Sequence, residues 1–394
     1  MTDYSTLKNA SPEILHKFKS ELENTGFHSE MFQRLSGKEI TRHVRISAHE
    51  THFLRTQILY NRPGLLNLTD LFLLKRPVYE KVIKKFISPD VLDHLISIDI
   101  LKREHDRIAC SCCITPVNGN YFLNDGDEPN PPKDHVFPIS QEQPYLISTF
   151  GMFRSDLPGQ KKILDICSGS GVIGQCIQGN NDKTIGVDIN PRAVEFSTFN
   201  ALLNNLDTHY RVSDFREFNP SEKYDIIVSN PPYNGHVRLK NGNGNNKKDI
   251  TVHSGSFGDQ LTNAIFHRLD DFLNDNGLCL IVAAWLLKDG KLANKKAAKL
   301  ADKGTLILLH QPIVPAMSWE GLRRLFALQP DYESIPEGYM KKMISKSGYF
   351  NQVTWGVLIY KKGGKPGFHK EYNISADAHL INQNVKNHLL ALAS

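Results

Sequence analysis

Ser229-Asn230-Pro231-Pro232-Tyr233 concentrates more chemistry than any other segment of this sequence. Two adjacent prolines fix the backbone and remove two N–H donors, so nearby carbonyls are left to accept. Asn230 adds a side-chain carbonyl and Tyr233 a flat aromatic face. Together they suit a planar –NH2 group that donates two hydrogen bonds while lying against a ring. Taken alone, the same residues also fit a proline-rich turn at the end of a strand.

A second set lies upstream. Residues Asp165 to Gly171 read Asp-Ile-Cys-Ser-Gly-Ser-Gly. Gly169 and Gly171 tolerate positive φ and let a ligand approach the backbone. With Gly174 the spacing only approaches G-x-G-x-x-G, and tight turns use glycine too. Asp188 closes the next apolar run, where an acid can accept from both ribose hydroxyls of an adenosine. Asp214 follows a third run and is placed to accept from an adenine amino group; by itself it reads equally well as a loop acid capping a turn. The cluster Cys110, Cys112 and Cys113 is not followed by a second pair at zinc-ligand spacing, so no metal is assigned.

These residues need a scaffold, and the hydrophobic pattern supplies one. Short apolar runs at Ile163–Ile166, Thr184–Val187, Arg211–Val212, Tyr224–Ser229, Leu278–Ala284, Leu306–Leu309 and Val353–Tyr360 read as strands. Between the first two, Val172, Ile173, Cys176 and Ile177 recur at helical spacing. Asn190 before Pro191 caps the next helix, with Val194, Ala201 and Leu202 on one side. Such alternation predicts an α/β fold with a mainly parallel sheet covered on both faces, and ligands beyond the carboxyl ends of its strands.

In this order, the motifs resemble those of the class I S-adenosylmethionine-dependent methyltransferases over residues 138–362. Asp165, Cys167, Ser168, Gly169 and Gly171 are similar to the family's nucleoside-binding loop, Asp188 with Ile189 to its ribose acid, and Asp214 with Phe215 to its adenine-contact loop. Asn230-Pro231-Pro232-Tyr233 resembles the catalytic motif of amino-methyltransferases acting on release-factor glutamine, adenine or guanine, in which Asn230 also lies against the donor. The resemblance implies a Rossmann-like seven-stranded sheet whose last strand is antiparallel, and S-adenosyl-L-methionine as cofactor. One departure is Cys167, where many members have a glycine.

The remaining chain frames this region. With 394 residues, 40% hydrophobic and 23% charged, the composition is that of an ordinary globular protein. A net charge of +5 does not by itself point to nucleic acid. No apolar run reaches membrane-spanning length, no secretory signal is evident, and sparse cysteines fit a reduced, cytoplasmic setting. Residues 1–137 carry mostly helical signals. Ser11-Pro12 opens a helix to Thr25, and further helical segments are predicted over Leu65–Leu74, Val78–Phe86 and Val91–Leu101. Arg107–Ile114 and Tyr121–Leu123, joined through Asn118-Gly119, read as a hairpin. Helices followed by a hairpin are winged-helix-like, as in the accessory domain of small-molecule methyltransferases. Lys81, Lys84 and Lys85 read as a solvated helix face. Residues 363–394 form a tail ending in an amphipathic helix with Leu380, Val385, Leu389 and Leu392, which would dock on the body or on the second subunit of a homodimer.

The expected reaction is in-line methyl transfer to a planar nitrogen held by Asn230 and the Pro231 carbonyl. A small-molecule acceptor is favoured by the N-terminal elements; a protein glutamine or a nucleobase is the alternative. Intramolecular alkyl transfer within the donor, and a regulator that binds the donor without turnover, are the other classes. Phe137 or Tyr145 would lie near the sulfonium or else in the core, and the Asn- and Lys-rich segment 234–260, with Arg238, Lys240, Lys247 and Lys248, would act as a lid.

Overall fold

The first helix begins where local chemistry requires. The Ser11 hydroxyl accepts from the Ile14 N–H, Pro12 takes the first turn, and the helix runs Pro12–Asn24 with Leu15, Phe18 and Leu22 inward. The computed structural model of the chain describes residues 4–36, 55–56, 59–126, 134–140, 142–233, 258–310, 317–318, 350, 352–372, 387 and 390–391. Residues 234–257 of the segment 234–260 expected to act as a lid, and the tail residues Leu380, Val385, Leu389 and Leu392, lie outside the described residues.

In chain order the strands are β1 (Val78–Tyr79), β2 (Leu101–Glu104), β3 (Arg107–Cys110), β4 (Cys113–Val117) and β5 (Asn120–Asn124). Then come β6 (Lys162–Ile166), β7 (Lys183–Asp188), β8 (Thr208–Val212), β9 (Tyr224–Ser229) and β10 (Leu273–Lys288). The last are β11 (Lys291–Leu292), β12 (Gly304–His310), β13 (Met317–Ser318), β14 (Gln352–Lys362) and β15 (Gly367–Tyr372). All seven strands expected in the α/β region form. The chain divides into two compact units, Met1–Pro144 with Ser168–Asp214, and Tyr145–Cys167 with Phe215–Ser394.

In the first unit, the Asn118-Gly119 turn joins β4 to β5 as expected. The expected strand Arg107–Ile114 is split, however. The β3 half pairs antiparallel with β2 and β1, and only the remainder pairs with β5. The Ser111 N–H donates to the Ile100 carbonyl at the break. Val78–Tyr79 is likewise drawn into a strand by pairing with β3, leaving only Glu80–Ile83 helical in that segment. Lys84 there pairs with Glu80 at 2.8 Å. Cys110 and Cys112 are buried thiols 4.0 Å apart.

The helix Pro191–Asn204 belongs to the core of this unit. Phe196, Phe199 and Leu203 pack into the cluster built by Leu15, Phe18, Phe27 and Phe72. Its buried face also carries Asn200 and Asn204, while Val194 and Leu202, expected inside, are only half-buried. The asparagines pair with the free edge of β5. Asn204 accepts from the Tyr121 N–H and donates to its carbonyl; Asn200 does the same at Leu123. A sheet edge is thus satisfied by side chains instead of another strand. These bonds lie within the compact unit formed by Met1–Pro144 and Ser168–Asp214.

In the second unit the strand order is β15-β12-β14-β10-β9-β6. β6, β9 and β10 are parallel, and β14 is antiparallel to both β10 and β12. The near-continuous apolar character of β9, β10 and β12 reflects burial on both faces. β15 adds a further strand parallel to β12, so part of the expected tail belongs to the sheet. The helix Gln260–Phe272 buries Ile265, Phe266, Leu269 and Phe272. No described helix is long and apolar enough to cross a membrane.

Candidate active site

In the first unit the glycine turn is built around Asp188. The Ser168 N–H donates to the Val187 carbonyl at 3.1 Å, which docks the turn on the end of β7. The Gly169 N–H then donates to Asp188 Oδ2 at 2.8 Å, and the Asn190 N–H to Oδ1 at 2.9 Å. Each carboxylate oxygen keeps a lone pair for a hydroxyl donor. Burial raises the affinity of this carboxyl for its proton, against the pull of the N–H groups of Asn190, Gly169 and Ile189. Asp188 is in register with Val212 of the parallel β8, and the Ser213 N–H donates to its carbonyl at 2.9 Å. That places Asp214 near Asp188.

Backbone geometry explains the residue types. Gly169 and Gly171 have φ of +53° and +78°. A β-carbon at Gly169 would meet nothing within 4 Å, so the turn faces open space there. At Gly171 it would lie 2.4 Å from Tyr210 Oη and 2.9 Å from Gln175 Nε2. Tyr210 donates from its hydroxyl to the Gly171 carbonyl and accepts from Gln175, bracing the turn from β8. Cys167 also has positive φ, at +58°. The conformation that favours glycine is kept, at a cost of roughly 1–2 kcal/mol to a residue with a β-carbon.

These residues fit S-adenosylmethionine. Ile189 is 51% exposed and Val212 54% exposed, an apolar surface flanking Asp188 that suits a purine face. The buried Ser168 hydroxyl finds no hydrogen-bond partner among the described residues. Open space over Gly169, a carboxylate with spare lone pairs and an apolar flank are what an adenosine needs.

In the second unit, parallel pairing brings the two sequence motifs side by side. Ile166 of β6 is in register with Ser229 of β9, and the Ser229 hydroxyl donates to the Ile166 carbonyl at 2.7 Å. Cys167 and Asn230 therefore leave adjacent strand ends in the same direction. Asp165 is fully buried in β6. Asn230, Pro232 and Tyr233 are half-buried and Pro231 is buried. Tyr233 Oη accepts from Trp355 Nε1–H at 3.3 Å. Phe215 is buried against Phe272, centroids 5.3 Å apart, and its carbonyl accepts from Arg268 at 2.9 Å. Tyr145 is fully buried, tilted against Trp355 at 5.5 Å, which makes it a core residue of this unit; Phe137 is half-buried in the other.

Sequence reasoning missed Tyr210, Gln175, Asn200, Arg268 and Trp355. Gln175 lies on the helix that the glycine turn opens and meets Tyr210 35 residues away, and the other four act on the motifs from distant parts of the chain.

Residues 146–244 match the methyltransferase small domain family. A protein of Methanocaldococcus jannaschii, provisionally named a protein N5-glutamine methyltransferase, is 30% identical over 136 residues, 34% of this chain and 68% of that protein. A release factor glutamine methyltransferase of Koribacter versatilis is 32% identical over 111 residues, 27% of this chain and 39% of its own. A tRNA1(Val) (adenine(37)-N6)-methyltransferase of a Flavobacteriaceae bacterium is 32% identical over 83 residues, 20% of this chain and 36% of its own. The chain thus spans about two thirds of the first relative and less than half of the other two.

Proposed function

Because this chain belongs to the class I S-adenosylmethionine-dependent methyltransferases, we propose that its acceptor is macromolecular and that the methyl group goes to the amide nitrogen of a protein glutamine. The observation that carries the choice of acceptor is the Methanocaldococcus relative, whose name gives glutamine N5 as its target and two thirds of which this chain spans. This reading displaces the small-molecule acceptor favoured by the N-terminal elements, since the relatives named above act on protein glutamine or on a tRNA adenine.

Local chemistry supports the same target. When bound, S-adenosylmethionine supplies an electrophilic methyl on a sulfonium. An amide nitrogen is a poor nucleophile because its lone pair is delocalised. Asn230 Oδ1 and the Pro231 carbonyl accept its two hydrogens, which returns electron density to nitrogen and aims it. Asn230 is half-buried directly after the end of β9. The Tyr233 ring holds the amide plane. Orientation of this kind supplies up to about 7–11 kcal/mol of a barrier in well-aligned systems. No strong base is needed, because the proton becomes acidic after transfer and leaves to water. Asp188, Gly169 and the Ile189–Val212 surface hold the nucleoside.

The test incubates the protein with methyl-labelled S-adenosylmethionine and fractionated cell lysate. Label in protein, recovered as N5-methylglutamine after enzymatic digestion, is the expected outcome. Label in tRNA as N6-methyladenine would favour the second reading, and label in a small-molecule fraction would reject both. Asn230→Ala should abolish transfer while donor binding persists.

A further inference from the structure

We propose that Asn190, which the sequence marks only as a helix cap, is a positioning residue that presets the Asp188 carboxylate for the donor by tying the turn after β7 to the segment Asp134–Val136; this rests on reading Asp188 as the acid that receives the donor's ribose. Every residue involved lies in the first unit. Asn190 is buried, at 4% exposure, and its polar groups serve three different partners. The N–H donates to Asp188 Oδ1 at 2.9 Å. Oδ1 accepts from the Arg192 N–H at 3.1 Å, which is the cap itself. Nδ2 donates to the Asp134 carbonyl at 2.9 Å, 56 residues earlier in the chain. A cap needs only the acceptor, and among the favoured cap residues asparagine alone has its donor and its acceptor on separate atoms.

The segment that Asn190 reaches is itself anchored. The Val136 N–H donates to Asp125 Oδ2 at 2.7 Å, and the Asp125 N–H donates to the Val136 carbonyl at 3.4 Å. The Arg192 guanidinium pairs with the buried Asp125 carboxylate and lies 3.7 Å from Asp134 Oδ1. Removing one member of such a buried ion pair leaves an uncompensated charge, so the pair keeps its elements together. With its side chain held at both ends, Asn190 keeps φ −86° and ψ 112°, and its N–H stays aimed at Asp188 Oδ1. The Gly169 N–H holds Oδ2 at 2.8 Å. The carboxylate is thus pinned through both oxygens, and no rotation has to be frozen when two hydroxyls arrive.

Asn190→Ser keeps a cap oxygen on a shorter side chain and withdraws the nitrogen that reaches Asp134. Calorimetric titration with S-adenosylmethionine should show affinity lowered about tenfold, as loss of one hydrogen bond implies. In an Asp188→Asn background the same change should cost less than about twofold, because its effect runs through the carboxylate. A merely structural cap would lower the melting temperature and leave affinity within about twofold of wild type. A contribution independent of Asp188 would cost about tenfold in both backgrounds. Either result overturns the proposal.

Amide hydrogen exchange supplies a second readout, in the wild type as well as the variant. Saturating donor should slow exchange at the N–H groups of Gly169, Asn190 and Val136 together. In Asn190→Ser the response at Val136 should disappear while that at Gly169 remains. Protection of Gly169 without Val136 in the wild type, or an unchanged Val136 response in the variant, overturns the proposal. Unchanged donor affinity in Asp188→Asn would instead sink the reading of the ribose acid, a different result from an Asp188-dependent site that ignores Asn190.

Discussion

The carboxylate of Asp188 and the backbone N–H of Gly169 are joined by a hydrogen bond of 2.8 Å, so the acid at the end of one strand shapes the glycine turn that follows another. The same oxygens are the ones a ribose would use. On the proposed reading of the donor site, turn geometry and nucleoside affinity would both depend on this one side chain.

Asp188→Asn should weaken S-adenosylmethionine binding about 10- to 100-fold, since charge-assisted hydrogen bonds are worth about 1.5–3 kcal/mol each. Calorimetric titration measures this. Burial raises the Asp188 carboxyl above the ordinary aspartate value of 3.8. Binding needs the ionised form, so affinity should fall as pH drops through a midpoint above 3.8, and the midpoint should vanish in the variant. A pH-independent affinity down to the ordinary aspartate range would remove Asp188 from the site.

Two glycines two residues apart should respond differently to alanine. Gly171→Ala drives a methyl to 2.4 Å from Tyr210 Oη at a positive φ, and should cost roughly 2–3 kcal/mol of stability. Gly169→Ala meets nothing within 4 Å, so only the backbone penalty of roughly 1–2 kcal/mol applies. Its methyl fills the space assigned to the donor, however, and affinity should fall at least tenfold. Thermal melts and titrations separate the two effects. Unchanged donor affinity in Gly169→Ala would place the ligand elsewhere.

Asn200 links the β5 edge to the glycine turn. Its Nδ2 donates to the carbonyls of Leu123 at 3.2 Å and Ser170 at 2.9 Å, and its Oδ1 accepts from the Leu123 N–H at 2.7 Å. Asn200→Ala strands buried backbone groups, each costing about 1–3 kcal/mol. A total loss of about 2–4 kcal/mol is expected by urea denaturation. A loss below about 1 kcal/mol would mean the edge finds other partners.

His310 sits at the end of β12, 2% exposed, with Nδ1 2.7 Å from Thr354 Oγ1. Burial, helped by the Lys370 ammonium, lowers its pKa to about 4 from the ordinary 6.5. The unfolded chain binds this proton first. The contribution is therefore complete above pH 6.5 and is lost as pH falls toward about 4. The loss should reach at most about 3 kcal/mol. In His310→Asn that part of the pH dependence should disappear. Parallel curves for the two proteins between pH 4 and 7 would show that the imidazole titrates normally.

Local signals were legible in the sequence wherever the physics is local. Ser11-Pro12 and Asn190-Pro191 cap their helices, Asn118-Gly119 turns its hairpin, and apolar runs mark the strands, because each depends on residues within a few positions. The order of glycine turn, Asp188 and Asn230–Tyr233 likewise identified the donor and the reaction class. Other features were invisible. Asn200 meets Leu123 across 77 residues and Trp355 meets Tyr233 across 122, and no short pattern encodes such pairs. Arg107–Ile114 reads as one strand, yet its two ends pair with different partners, β2 and β5, that lie elsewhere in the chain. Gly367–Tyr372 has no strong strand pattern and becomes β15 because β12 offers it an edge. Sequence by itself determined the capped helices, the hairpin turn and the seven strands of the α/β region, and with them the class of donor. Tertiary structure decided which edges are satisfied, which face of the helix Pro191–Asn204 is buried, and what braces each functional residue, because unpaired backbone groups and apolar faces are settled only by what the rest of the chain brings to them.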